Sequence, residues 1–207
     1  MTKFSINNVC FEVSEPNNKL EKMLIEDECD IVEIPEVTPS GEKILSLGNH
    51  FFANSGRCNT IIIPPTISLV DSGAFAFSNV KNVVWSSRCC YIPNACFYKS
   101  SLESIDNISK VIFVDPSAFA CSKIKSIRWP DCCHDIPRQC FLSSSLEEIF
   151  NVGHVSSVGD AAFMDLKHIK ELDFSSVLTC SFSACAFSQT DKEKIRLPYY
   201  GLQDLKI

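Results

Sequence analysis

Glycine is scarce in this chain, seven residues among 207, and histidine is scarcer still at four. So little glycine leaves no material for a glycine-rich phosphate loop, which needs bare backbone where it cradles the phosphates. His50, His134, His154 and His168 stand in no repeated column and in no protease signature, so a Cys-His nucleophile is not expected. No two of the twelve cysteines are spaced C-x-x-C, the arrangement that fixes two thiolates on one zinc ion. Cys132-Cys133-His134-Asp135 with Cys140 contains ligand types, but adjacent residues of an extended chain project to opposite sides; no metal or cofactor is expected. No basic run offsets a net charge of -6, which argues against nucleic acid or an anionic membrane as partner. Long apolar runs are missing too. None reaches the roughly 18 residues of a membrane span, and Met1 to Phe11 lacks the uninterrupted apolar segment of a conventional signal peptide. Unless the chain is a fragment or leaves by another route, the expectation is that it stays inside the cell.

What the chain does have is a period. Phe75, Phe97, Phe119, Phe141 and Phe163 are 22 residues apart, a spacing in the range of stacked-coil repeats of leucine-rich type. Each Phe follows a small residue (Ala74, Cys96, Ala118, Cys140, Ala162) and is followed at fixed offsets by an L-x-x-L-x-L frame. The frames read Val80, Val83, Trp85; Leu102, Ile105, Asn107; Ile124, Ile127, Trp129; and Leu146, Ile149, Asn151. Phe52 and Phe163 carry the frame one residue late, Phe187 keeps only Ile195 and Leu197, and the pattern reaches back to Cys29, Val32 and Ile34. This gives eight strand registers, ending at Ile34, Ile63, Trp85, Asn107, Trp129, Asn151, Phe174 and Leu197. Alternate residues of a strand face opposite ways, so the last two frame positions are expected to point inward. One coil cannot bury them; eight strands stacked at roughly 4.8 Å make an apolar interior about 34 Å long. The Phe packs from the opposite side of the coil, and the small residue before it leaves space for the ring.

Local signals add detail. Asp115-Pro116 before Phe119 reads as an N-cap followed by Pro at the first helical position, predicting a single helical turn there. Asp71 takes the same place in one repeat, while Pro93 and Pro137 stand there in the intervening ones. Ile92-Pro93 returns as Ile136-Pro137, and Ser100-Ser101-Leu102-Glu103 as Ser144-Ser145-Leu146-Glu147. The repeats therefore alternate with a longer period of 44, as duplication of a two-coil unit would produce. Phe4 to Val13 alternates around Asn7-Asn8, predicting a hairpin with a two-residue turn that covers the open end of the first coil. Residues 1–28 thus read as an N-terminal hairpin cap, 29–198 as the repeat array, with a longer loop at Pro35 to Ile44, and 199–207 as a short tail. That tail is expected to cap weakly, leaving its edge open to self-association.

The array resembles the BspA-like leucine-rich-repeat proteins. The resemblance is carried by Ile92-Pro93, Val114 to Phe119, Cys121, and Ser101 to Ile105, together with the lead-in from Ile34-Pro35 to Leu47-Gly48. It covers roughly residues 4 to 198. It implies a right-handed, strand-rich solenoid with a parallel concave sheet and, for many members, adhesion or protein binding at the cell surface; it implies no catalytic residue. Location is thereby left between the cell surface, which the family implies, and the cytoplasm, which the missing signals imply.

The cysteines fit a reduced interior. Cys96 and Cys140 hold the small position before Phe, and Cys89 and Cys133 are equivalent to each other; repeated inward cysteine behaves as a small hydrophobe. Asn107-Ile108-Ser109 is formally a glycosylation acceptor, but its column is expected to face inward, where the amide would bond the backbone of the coil.

The outward residue between the last two frame positions gives the column Glu33, Ile62, Val84, Asp106, Arg128, Phe150, Asp173 and Arg196. Neighbours in it are cross-strand pairs: Asp106 can pair with Arg128, and Phe150 lies between Arg128 and Asp173. An aromatic and an arginine within a charged rim are the usual makings of a protein-binding hot spot, so Val84, Asp106, Arg128, Phe150, Asp173 and Arg196 are the candidate contact residues. The bland counterpart is a solvated ladder whose charges keep the sheet soluble. Two functions follow: a non-catalytic binding module, adhesive or recognitive, with a protein ligand on this face; or an intracellular scaffold assembling through its C-terminal edge.

Overall fold

Three antiparallel strands open the chain: β1 (Thr2–Ile6), β2 (Val9–Ser14) and β3 (Lys19–Ile25). The structure, a computed structural model, describes residues 1–14, 17–25, 27–53 and 58–198. Asn7 and Asn8 both take positive φ, 48° and 63°, and Ile6 faces Val9, as a two-residue hairpin turn requires. The expected hairpin is therefore present, but it is one strand short of the real cap. β3 continues the meander and then pairs in parallel with the first coil, Lys19 opposite Ser46 and Leu20 opposite Leu47. The expected loop from Pro35 to Ile44 folds back on itself, with a bridge between Val37 and Lys43 and Gly41 at φ +87°.

Beyond the cap each coil carries two short strands. The first face holds β4 (Cys29–Glu33), β6 (Cys58–Ile62), β8 (Asn82–Val84), β10 (Ser104–Asp106), β12 (Ser126–Arg128), β14 (Glu148–Phe150), β16 (Leu172–Asp173) and β18 (Ile195–Arg196). These are the eight expected registers, separated by seven coil-to-coil steps. The second face, which the frame did not announce, holds β5 (Ser46–Leu47), β7 (Leu69–Val70), β9 (Tyr91–Ile92), β11 (Phe113–Val114), β13 (Asp135–Ile136), β15 (Ser157–Val158) and β17 (Ser181–Phe182). The fold is a strand-rich, parallel-sheet solenoid with almost no helix.

The third side of each coil corrects the expectation of helical turns. Among the described residues the single helical element is a 3-10 turn at Lys192–Lys194, outside the Phe-bearing segments. Ser117, which follows Asp115-Pro116, has φ 59°, and Cys121 has φ 56°. Equivalent residues repeat this: Gly73, Ala95, Gln139 and Ala161 in one column, Phe77, Lys99, Ser143 and Asp165 in the other. A left-handed residue ends a helix at once. The amides instead reach the next coil, Phe97 N to Ala118 O at 2.8 Å and Phe119 N to Cys140 O at 3.0 Å. Stacking satisfies these backbone groups; a helix would have satisfied them locally.

The interior follows the Phe ladder. Phe75, Phe97, Phe119, Phe141, Phe163 and Phe187 are buried and stacked, with ring centroids from 5.3 to 5.7 Å apart and planes within 15°. Full burial of each ring contributes on the order of 1.5–3 kcal/mol. Trp85 and Trp129 are buried on the facing side, their indole N–H groups donating to Cys89 O (3.1 Å) and Cys133 O (2.9 Å).

Asn107 and Asn151 were expected to point inward like the tryptophans, and do not. Asn107 is exposed and Asn151 half-exposed; both have left-handed backbone, φ 64° and 65°. The chain leaves the strand at the Asn, and the next residue, Ile108 or Val152, fills the interior. The expected side-chain bond to backbone does form: Asn107 Nδ2 donates to Trp85 O (2.7 Å) and Asn151 Nδ2 to Trp129 O (2.8 Å).

The same residues decide where the sheets break. After most first-face strands the next residue donates to the following coil, as Ile63 N does to Val84 O, Trp85 N to Asp106 O and Trp129 N to Phe150 O. Asn107 and Asn151, turned into the left-handed region, make no such bond among the described residues. The first face accordingly divides into β4-β6-β8-β10, β12-β14 and β16-β18. On the second face the linking amides are Asp71 N to Leu47 O, Asp115 N to Ile92 O, Gly159 N to Ile136 O and Ser183 N to Val158 O. Pro93 and Pro137 occupy that position in the other coils and have no N–H. The breaks fall between β7 and β9 and between β11 and β13.

Candidate functional site

The predicted column forms a row along the first face, each residue closing its strand. Register pairs join Glu33 to Ile62, Ile62 to Val84 and Val84 to Asp106, then Arg128 to Phe150, then Asp173 to Arg196. A bridge between Glu148 and Glu171 keeps Phe150 in register with Asp173 across the second break. Val84 is half-buried; Asp106, Arg128, Asp173 and Arg196 are exposed, and Phe150 is 49% exposed.

The charges do not pair as the column alone suggested. Arg128 turns to Asp131 in its own coil, 3.5 Å away, instead of to Asp106. The break after Asn107 removes the ladder that would have held Asp106 and Arg128 opposite each other. It opens a cleft of about 220 Å³ whose walls include Asp106, Ser109, Arg128 and Asp131. Asp131 also accepts from Asn151 Nδ2 at 2.8 Å, so one carboxylate holds both the guanidinium and the turn beside Phe150. Arg196 pairs with Glu171. Asp173 accepts from Ser175 N (2.8 Å) and Ser175 Oγ (2.6 Å), and these bonds hold its carboxyl below the usual range. The result is a row with one free aromatic face and fixed charges of both signs around it.

One flank of this row is a charge ladder that the sequence reading passed over. Lys81, Glu103, Lys125, Glu147 and Lys170 stand in successive coils, joined by their own backbones, Glu103 N to Lys81 O and Glu147 N to Lys125 O both at 2.7 Å. Lys125 lies 2.9 Å from Glu103, and Lys170 lies 3.1 Å from Glu147. Lys125 lowers the Glu103 carboxyl and Glu103 raises the Lys125 ammonium. Exposed pairs of this kind contribute little stability. Their spacing, 22 residues at each step from Lys81 to Glu147 and 23 from there to Lys170, and their alternating sign were visible in the sequence, and they mark a flank already neutralised.

A second surface was also missed. Leu69, Tyr91 and Phe113 hold the outward position of β7, β9 and β11, with Leu69 63% and Phe113 64% exposed. The residue immediately before Val70, Ile92 and Val114 would have shown them. The cysteine cluster disperses: Cys133 and Cys140 are in the core, Cys132 and His134 at the surface. Burial pushes the Cys96 and Cys140 thiols well up.

Comparison with known proteins agrees with this architecture. No curated protein matches the chain. Among solved structures, the pneumococcal vaccine antigen PcpA superposes with a TM-score of 0.55 at 16% identity, over 94% of this chain and 48% of that one. The present chain thus spans about half the length of that structure. A leucine-rich cell surface protein of Faecalibacterium prausnitzii gives a TM-score of 0.35 at 12% identity, covering 92% of this chain and 88% of that one. A leucine-rich repeat protein of Bacteroides ovatus gives 0.34 at 15% identity, covering 94% and 67%. At the sequence level, the BspA type leucine rich repeat region matches in six copies over residues 45–170 and 134–205. With that match running through most of the coils described above, the chain belongs to the BspA-type leucine-rich repeat family.

Proposed function

We propose that the chain is a non-catalytic protein-binding module, adhesive or recognitive, whose ligand lies along the first face across Val84, Asp106, Arg128, Phe150, Asp173 and Arg196. The family implies a protein-binding or adhesion module, and leucine-rich repeat proteins in general bind other proteins. The observation that carries the choice of face is Phe150. A ring 49% exposed at a strand end, with Arg128 beside it in register and Asp173 on the other side, is apolar area ready to be covered. Its rim charges are oriented by Asp131 and Ser175 before any ligand arrives. Such preorganisation lowers the ordering cost of binding.

The test is the double substitution Phe150→Ser with Arg128→Glu. Both residues are exposed, so folding stability should move by no more than about 0.5 kcal/mol per site. Recovery of a partner that copurifies with the native protein should fall, since loss of hot-spot contacts typically costs 2 kcal/mol or more. Undiminished recovery by a well-folded double variant would move the interface to another face.

A further inference from the structure

The second face presents an apolar strip that no described part of the chain covers. Leu69, Tyr91 and Phe113 follow one another in three consecutive coils, Tyr91 and Phe113 directly paired in register. Ile112, 43% exposed, and Leu45, 47% exposed, widen it on the side of the strand starts. The strip is not a by-product of the repeat, because the same outward position holds Ser46 before it and Asp135, Ser157 and Ser181 after it. Neighbouring large apolar side chains exposed together, rather than singly, mark a contact site.

Its two margins carry opposite charge. Arg88 and Lys110 occupy the same position of equivalent turns, closed by Cys89 N to Ser86 O (3.1 Å) and Val111 N to Ile108 O (2.9 Å). Both are exposed, and neither makes an ion pair among the described residues. Across the strip, Asp71 and Asp115 directly follow Val70 and Val114. Asp115 accepts the Tyr91 hydroxyl, and Asp71 pairs with Lys19 at 2.6 Å. The strip is therefore bounded by a basic margin at the strand starts and, at the strand ends, by an acidic margin carried by Asp115, since Asp71 is neutralised by Lys19.

A two-fold rotation about a line running along the strip lays each coil against its own copy. It puts apolar ladder on apolar ladder and carries the basic margin of each molecule onto the acidic margin of the other. Lys110 then meets Asp115 of the second molecule, with Arg88 beside it. An isologous contact needs a patch complementary to itself, and this one is so by the order of its residues: cation, apolar pair, anion. We propose that the second face is the interface of a symmetric side-by-side dimer centred on Leu69, Tyr91 and Phe113. Assembly is thereby moved from the coil end to the flank, leaving the first face of both molecules free for ligand.

Sedimentation equilibrium of the full chain over a range of micromolar concentrations tests this, with circular dichroism confirming the fold of each variant. The native chain should self-associate as a dimer. Phe113→Ser should weaken the dimer about tenfold or more, since each substitution occurs twice in a symmetric interface. Lys110→Glu alone and Asp115→Lys alone should each weaken it, and the two together should restore it, because the swapped pair again meets opposite charge. A chain monomeric throughout, or a dimer indifferent to Phe113→Ser and to both charge reversals, overturns the proposal. Failure of Phe150→Ser with Arg128→Glu to alter partner recovery leaves it untouched, since those residues lie on the other face.

Discussion

Asn107 and Asn151 show how a single side chain fixes what its coil can do. Each takes a left-handed backbone, which asparagine tolerates better than most residues, and each ties its amide to the carbonyl of the tryptophan in the coil before. The alternation of Trp with Asn has a steric reason. Trp85 lies 6.5 Å from Phe75 of its own coil and 6.0 Å from Phe97 of the next, so one indole fills the interior of two coils. Trp129→Ala should leave a large cavity and free the Cys133 carbonyl, lowering stability by about 3–5 kcal/mol in denaturant titrations; an unchanged midpoint would contradict the packing. The cysteines give a second check at this scale. In native protein, iodoacetamide at mildly alkaline pH should label exposed Cys90, Cys132 and Cys185 first. Cys96 and Cys140, buried and with their thiols pushed well up, should be labelled only on unfolding, as read by peptide mass spectrometry.

At the scale of the element, the strands are too short to hold themselves. Those of the second face are two residues long, and the amide that follows the strand helps to join it to the coil before. Asp115 N to Ile92 O at 2.9 Å is such a bond. Proline already stands in the equivalent place at Pro93 and Pro137, so its φ suits the site; the substitution removes the amide donor together with the carboxylate that accepts the Tyr91 hydroxyl. Asp115→Pro should therefore cost about 1–3 kcal/mol, the range for a buried acceptor left unpaired. Asp115→Ala, which keeps the N–H, should cost less, and equal losses by thermal or urea unfolding would show that the amide is unimportant. The helical turns expected around Phe119 fail for a related reason. Asp115-Pro116 is a sound helix start read locally, but a left-handed Ser117 and the carbonyls of the next coil offer the same amides a partner through stacking. Local capping signals carry no information about a neighbouring coil.

For the whole molecule, the unit of construction is the pair of coils. Removing Pro93–Ile136, one period of 44 residues, joins Ile92 to Pro137 and keeps both the Trp/Asn and the Asp/Pro alternation. Removing Pro93–Val114, only 22 residues, sets the Trp85 coil directly against the Trp129 coil. Two indoles then compete for the interior that one fills, and overpacking of a dense core is destabilising. The shorter deletion should melt at the lower temperature although it removes fewer coils. The reverse order would show that the 22-residue coil is the independent unit, as a simple nearest-neighbour stack would have it.

The sequence by itself determined the coil count, the Phe ladder, the inward tryptophans, the hairpin turn at Asn7-Asn8 and the outward row from Glu33 to Arg196. All of these depend on spacing, and a period is preserved whatever the geometry of the coil. Tertiary structure alone decided the third strand of the cap, the second face, the breaks in the sheets and the partners of the charges. A residue such as Arg128 has two carboxylates within reach, and only the break after Asn107 selects Asp131 over Asp106. The strip at Leu69, Tyr91 and Phe113 was written at the same period, yet that these residues face solvent together followed only from where each coil turns, because two-residue strands leave no alternation in the sequence to read.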